Sequence, residues 1–268
     1  MIVKPGDVGE NVALLQRRLA RAGYPATETH IYDRVTEKAV MDLQHAKGLV
    51  VDGIAGPKTM AALIGAVPAH FLTAADLERA ARALGVELAA VRAVNEVESK
   101  GHGMLPDTGK PVILFERHVF WKQLQQRGID PAPAAARSPS ILSQQPGGYR
   151  GGAAEYVRLA SAIYIDRAAA LESCSWGAFQ IMGYHWKDLG YDSIDQFVEC
   201  MSSSEAEQLE AFVRFIANDK ALLAALKGRK WAVFARLYNG PNYAANLYDV
   251  KLARAYEKYA APAELVAA

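Results

Sequence analysis

The stretch Val91-Arg-Ala-Val-Asn-Glu-Val-Glu-Ser-Lys-Gly101 decides how the chain is read. It is apolar at helical spacing and ends in a glycine break. An α-helix turns about 100° per residue, so Leu84, Val91 and Val94 fall within about 40° of Glu98 on the wheel. Glu98 therefore projects from the stripe that should face the core. Glu96 should point about 200° away, towards solvent. Desolvation raises the pKa of a carboxyl, which suits a general acid. The plainer reading is a helix-end Glu satisfied by a nearby Arg or backbone N–H, because structural ion pairs also perturb pKa values.

Outward from that helix the pattern stays helical. Thr73 caps Ala74-Ala-Asp-Leu-Glu, with acidic residues in the first turn. Gly85 separates that helix from the one carrying Glu98. Further helices are expected over about 153–172, 183–189, 204–226, 229–237 and 243–260. A short β-hairpin is expected around Lys110 to Phe115. No stretch alternates with period two over several strands, so the chain is mainly α. Pro131 to Gly152 is rich in Pro, Ser and Gly. It is long for a connection, and such loops are usually functional or mobile.

The first 66 residues read as a separate small unit. Glu10–Ala22 is amphipathic and is followed by Gly23; Thr36–Lys47 is followed by Gly48. A third helix starts near Pro57 and ends before Gly65. A weak internal repeat is visible. Leu15-Gln16 with Gly23-Tyr24 is echoed by Leu43-Gln44 with Gly48-Leu49. Asp33 and Thr36 are echoed by Asp52 and Thr59.

Composition excludes several classes. The chain has 268 residues, 51% hydrophobic and 22% charged, with net charge +1. That gives no electrostatic case for a nucleic acid partner. No run of about 18 apolar residues exists, so no membrane insertion is expected. The N-terminus lacks the apolar core of a signal peptide. Cys174 and Cys200 are too few for a disulfide scaffold. The six His are scattered without ligand spacing, so no metal and no cofactor is expected. Nothing signals an oligomer, so a monomer is expected.

Four further segments carry residues suited to a sugar cleft. They are Leu114-Phe-Glu-Arg-His118, Gly147-Gly-Tyr-Arg-Gly-Gly152, Ser173-Cys-Ser-Trp-Gly-Ala-Phe-Gln-Ile-Met-Gly183 and Tyr238-Asn-Gly-Pro-Asn242. Aromatic faces pack on pyranose rings, and amides bond hydroxyl and N-acetyl groups. Singly, Trp176 and Phe179 read as core and Asn239-Gly240 as a turn.

Together the motifs resemble two known families. Gly6-Asp-Val-Gly-Glu-Asn-Val-Ala-Leu-Leu-Gln16, Leu43-Gln44, Asp52-Gly53-Ile54, Gly56-Pro57 and Thr59 are similar to the three-helix peptidoglycan-binding domain. That family carries an Asp-Gly turn before its second helix, where this chain has Thr29-His-Ile-Tyr-Asp33. Val97-Glu98-Ser99, Leu114 to Phe120, Gly147 to Leu159 and Ala170 to Gly183 resemble the N-acetylmuramidase domain of modular phage endolysins. More distantly they are similar to goose-type lysozymes and soluble lytic transglycosylases.

The resemblance implies a three-helix wall-binding domain at residues 1–66 and a linker at 67–72. A lysozyme-like α-helical catalytic domain, with at most a short β-hairpin, then follows at 73–268. It implies hydrolysis of the β-1,4 bond between N-acetylmuramic acid and N-acetylglucosamine, lysing the host cell. The partner is then the peptidoglycan glycan strand. The chain would be made in the host cytoplasm and reach the periplasmic wall through a holin-type pore. Glu98 maps onto the catalytic acid. Glu116 is the candidate second carboxylate, although Arg117 and His118 also permit a structural ion pair, and Glu172 is weaker. Ser175, Trp176, Gln180, Met182, Tyr238 and Asn239 are the implied substrate contacts. Asp52 and Gly53 are the candidates in the wall-binding groove. The rival readings are a lytic transglycosylase, which gives 1,6-anhydro products, and a non-catalytic wall-binding or structural protein.

Overall fold

A computed structural model describes residues 2–66, 70–99 and 102–261. The chain divides into two compact units, Met1–Arg79 and Ala80–Ala268. Residues 67–69 of the expected linker lie outside the described residues.

In the first unit, α1 (Glu10–Arg21), α2 (Arg34–Ala46) and α3 (Pro57–Leu63) enclose a core of Val12, Leu15, Leu19, Val40 and Leu43. Asp33 caps α2 by accepting from the Thr36 amide, and Pro57 starts α3. Leu49 and Thr73 form a β-bridge within this unit. The helix α4 (Ala74–Leu84) carries the chain into the second unit.

Two buried glutamines organise the small unit. The Gln16 amide donates to Thr29 Oγ1 at 3.0 Å, Ile31 O at 3.0 Å and Thr36 Oγ1 at 2.8 Å. Its oxygen accepts from the amides of Thr29 and His30. Gln44 repeats the pattern, donating to Asp52 Oδ1, Ile54 O and Thr59 Oγ1 and accepting from the amides of Asp52 and Gly53. The true internal repeat therefore aligns Thr29-His30-Ile31 with Asp52-Gly53-Ile54. Asp52 corresponds to Thr29, and the pairing of Asp52 with Asp33 is corrected.

The alignment explains His30. Its φ of 62° matches the 73° of Gly53, so a histidine occupies a left-handed position that its repeat partner fills with glycine. His30→Gly should stabilise the unit by about 1 kcal/mol, since an L side chain is strained there. Urea unfolding followed by hydrogen exchange of the α1 and α2 amides measures this. A loss of stability would show that the His30 side chain outweighs its backbone cost.

The second unit opens with α5 (Leu88–Glu98), followed by β1 (Ile113–Phe115), α6 (Arg117–Gln126) and α7 (Ala132–Arg137). Then come α8 (Ala154–Ile163), α9 (Arg167–Glu172), β2 (Cys174–Trp176) and β3 (Ile181–Met182). The rest is helical: α10 (Ile194–Ser203), α11 (Glu205–Asn218), α12 (Lys220–Lys227), α13 (Trp231–Asn239) and α14 (Tyr248–Ala260).

Several expected elements are divided by capping aspartates. The helix expected over 153–172 breaks where Asp166 accepts from the Ala169 amide. The one expected over 204–226 breaks where Asp219 caps α12 through the amides of Ala221 and Leu222. Leu84 ends α4, so it does not share a wheel with Glu98; Val91 and Val94 do, and both are buried. The strand at 113–115 exists, but its partner is not local. It pairs antiparallel with β2, and the tight hairpin is β2 with β3.

Candidate active site

The three-stranded sheet sets which side chains face outward. Directly opposed residues share a face, and alternate residues along a strand take opposite faces. Leu114 opposes Ser175, which opposes Met182. Ile113, Trp176 and Ile181 form the other row, and all three are buried. Trp176 is 2% exposed, and its indole N–H donates to Leu171 O at 3.1 Å. The expectation that Trp176 contacts sugar is corrected: it is core beneath the sheet. The Glu116 amide donates to Ser173 O at 2.9 Å, carrying the ladder one residue beyond β1. Alternation then puts Glu116 on the face of Leu114, Ser175 and Met182.

Glu98 ends α5 and is half-buried. Its Oε1 accepts from Asn239 Nδ2 at 3.0 Å, a contact between residues 141 positions apart. Beside it, the Tyr238 hydroxyl donates to Phe179 O at 2.7 Å. The Tyr238 ring packs against Phe212, Phe215 and Phe234. Burial first, and then the Glu98 charge, push the Tyr238 phenol well above its ordinary pKa. The same two causes raise Tyr248. Both phenols therefore stay neutral beside Glu98. Glu96, expected to face solvent, is instead half-buried against α14. It pairs with Lys258 at 3.1 Å and accepts from the Tyr259 hydroxyl. The reason is that α14 packs along α5 and covers that side.

Gln180 follows Phe179 and holds φ at 52°, a left-handed conformation that a non-glycine residue adopts at a cost. Its amide nitrogen donates to Gly177 O at 2.8 Å, and its oxygen accepts from Ser175 Oγ at 2.8 Å. Thus Tyr238 joins the Glu98–Asn239 pair to the Ser175–Gln180 turn. Sequence reasoning missed the support beneath them. Gln208 is fully buried, accepts from the Ala178 amide and donates to the carbonyls of Gly103 and Met201. Glu205 accepts from the Gly103 amide at 2.8 Å. A Cβ at Gly103 or Gly177 would come within 1.9 or 2.5 Å of the Gln208 side chain, so a larger residue at either would drive Gln208 from its hydrogen bonds. The available signal was two polar residues on the α11 stripe that also carries Leu209, Phe212 and Ile216.

Glu116 accepts from the Tyr149 hydroxyl at 3.0 and 2.8 Å through its two oxygens. His118 Nδ1 lies 3.2 Å from Glu116 Oε2. Burial and the Glu116 carboxylate raise the pKa values of Tyr149 and Tyr184. Arg117 does not pair with Glu116. It donates to the carbonyls of Pro139, Gln145 and Pro146 and so staples the loop that presents Tyr149. From the other side, Glu155 accepts from the amides of Arg150 and Gly151.

Glu172 bonds Arg127 at 2.6 Å and the Trp186 indole at 3.0 Å, one through each oxygen, which gives it a structural role. In the small unit Gly53 is buried, and its amide and carbonyl bond Gln44 and Tyr32. Asp52 Oδ1 bonds Gln44 and the Ile54 amide. Among the described residues, no three His, Cys, Asp or Glu side chains converge to hold a metal ion.

A carboxyl half-withdrawn from water, steadied by an amide and flanked by neutral phenols, is equipped to donate a proton to a glycosidic oxygen. It lies in a helical domain preceded by a three-helix unit, and the family relationships give the class as a modular, wall-degrading glycoside hydrolase. Residues 87–260 match the N-acetylmuramidase family, and residues 8–63 match the peptidoglycan binding domain. The chain belongs to the N-acetylmuramidase family. It is 56% identical to the Burkholderia AP3 phage endolysin in a crystal structure, with a TM-score of 0.91. That match covers 97% of this chain and 99% of the other. No curated protein sequence matches the chain.

Proposed function

We propose that Glu98 is the general acid that protonates the leaving oxygen of the β-1,4 bond between N-acetylmuramic acid and N-acetylglucosamine. The observation that carries this is the Glu98–Asn239 hydrogen bond beside Tyr238. Asn239 orients the carboxyl, and Tyr238 ties it to the cleft floor. Ser175, Gln180 and Met182 form that floor and contact the sugar. Glu116 is the second carboxylate, stabilising the oxocarbenium-like transition state or activating water. In the wall-binding domain, the turn at Asp52 and Gly53 shapes the groove edge through its backbone.

The proposed division is residues 1–66 for wall binding, 67–72 as linker and 73–268 for catalysis. The enzyme is an endolysin that lyses the host cell. It works as a monomer, is made in the host cytoplasm and reaches the wall through a holin-type pore.

Mass spectrometry of digested muropeptides tests the reaction. Products carrying one added water are expected, and 1,6-anhydro products would instead make the enzyme a lytic transglycosylase. Glu116→Gln tests the second carboxylate. The amide still accepts from Tyr149, so the fold should hold while kcat falls about 100-fold, the lower range for a lost acid–base group. A fall in melting temperature with kcat unchanged would make Glu116 a structural anchor for Tyr149.

A further inference from the structure

A concavity lies between α5 and α14. It encloses about 400 Å³ and is lined by Glu96, Val97, Lys251, Arg254, Ala255 and Lys258. The α14 residues fall at helical spacing, so Lys251, Arg254 and Lys258 share one face. Glu96 is its one carboxylate, and it pairs with Lys258. Among the described residues, neither Lys251 nor Arg254 pairs with a carboxylate. Lys251 instead lies 5.6 Å from the centre of the Tyr248 ring. The concavity therefore holds unneutralised positive charge on a chain whose net charge is only +1.

We infer that this concavity binds a carboxylate of the peptide attached to the muramic acid residue. The inference rests on the reading of Glu98 as the acid. Val97, in the wall of the concavity, is the chain neighbour of Glu98, about 1.5 Å along the helix axis. In intact wall the lactyl carboxyl of each muramic acid is amide-bonded to its stem peptide, so the free carboxylates lie on the peptides. An extended peptide spans about 3.3–3.6 Å per residue, so three residues reach about 10 Å from the sugar. Tyr248, close enough to Glu98 for its charge to raise the phenol pKa, lies about one helical turn before Lys251 on α14, so that reach spans the step from the acid to the concavity. Arginine suits the role because its fork binds a carboxylate through two parallel hydrogen bonds. The consequence is a preference for strands whose stem-peptide carboxylates are free.

The test compares kcat/KM of the full chain on glycan strands with intact stem peptides and on the same strands after carbodiimide-driven amidation of the peptide carboxylates, because an amidase would free a lactyl carboxylate on every muramic acid it strips. Both substrates are freed of phosphate-bearing polymers, so carboxylates are the anions in which they differ. The wild type should prefer the unamidated strand, and added NaCl should erode the preference. In Lys251→Ser/Arg254→Ser the ratio of the two kcat/KM values should fall about three- to tenfold, as expected for partly exposed charge contacts. Arg254→Glu should lower it further, and Arg254→Lys should restore part of it. A wild-type ratio near unity would overturn the inference without any variant. A ratio unchanged in the folded double variant would overturn it as well. Glu98→Gln separates the two readings, because it removes activity on both strands alike, whereas the pocket variants change the ratio.

Discussion

Replacing Glu98 by Gln is expected to abolish turbidity clearing of permeabilised cells and leave the fold intact. Loss of a general acid costs about 10²–10⁴ in rate, and glutamine cannot donate a proton of the needed acidity. The fold should survive because the amide oxygen of Gln can accept from Asn239 Nδ2, as Glu98 Oε1 does at 3.0 Å. Tyr238 keeps its bond to Phe179 O, so the junction with the Ser175–Gln180 turn remains. Stability should change by no more than about 0.5 kcal/mol, the usual range for a substitution that creates neither a cavity nor an unpaired buried charge. The assay is initial clearing rate alongside thermal unfolding. Full activity would sink the assignment. A large loss of stability would show that Glu98 serves α5 more than the chemistry. The Tyr238 phenol gives an internal check. Its pKa is raised partly by the Glu98 charge, so it should fall towards its ordinary value in the variant and remain high from burial alone.

The candidate site was legible where its proposed residues sit in short motifs. Glu98, Ser175, Gln180, Tyr238 and Asn239 could be named from the chain, and the structure links them through three hydrogen bonds, Glu98 with Asn239, Tyr238 with Phe179 O and Ser175 with Gln180. Periodicity located most helices, since it depends only on local spacing. What failed needed non-local information. The partner of β1 lies about sixty residues away, and no local signal announces it. Register then decided Trp176: opposite Ile113 it faces the core, and a slip of one residue would have turned it outward. Glu205 and Gln208 read as ordinary helix residues until Gly103 and Gly177 are seen pressed against Gln208. The Asp166 and Asp219 caps were readable in principle, because each is an Asp before a helical run. Hydrophobic continuity across them concealed the breaks.

The largest stability effect should come from the buried pair of Glu155 and Arg158, 2.6 Å apart on α8. Both side chains are nearly sealed from solvent, at 0% and 3% exposure. Arg158→Met should destabilise the second unit by about 3–5 kcal/mol, because it leaves the Glu155 carboxylate buried and unpaired. Replacing both partners by apolar residues of similar volume can restore stability when a pair bonds only itself. Here the double variant Glu155→Leu/Arg158→Met should stay destabilised. The pair also holds the amides of Phe115, Arg150 and Gly151 and the carbonyls of Phe115 and Ser140. Each backbone group left unsatisfied costs about 1–3 kcal/mol. Those groups join β1, which leads into Glu116, to the loop that presents Tyr149, so activity should fall along with stability. Acid should act in the same sense. Burial raises the Glu155 pKa, but the amides of Arg150 and Gly151, with Arg158 and the Phe115 amide, outweigh it and leave the carboxyl lowered. A lowered carboxyl contributes stability above its unfolded pKa and loses it as pH falls through the folded one. Wild-type stability should therefore drop below the ordinary carboxylate range, and Glu155→Gln should flatten that limb. Denaturant unfolding from neutral pH to below pH 4 reads both effects. Recovery of stability in the double variant would show that the pair serves only itself and that Arg117 alone secures the loop.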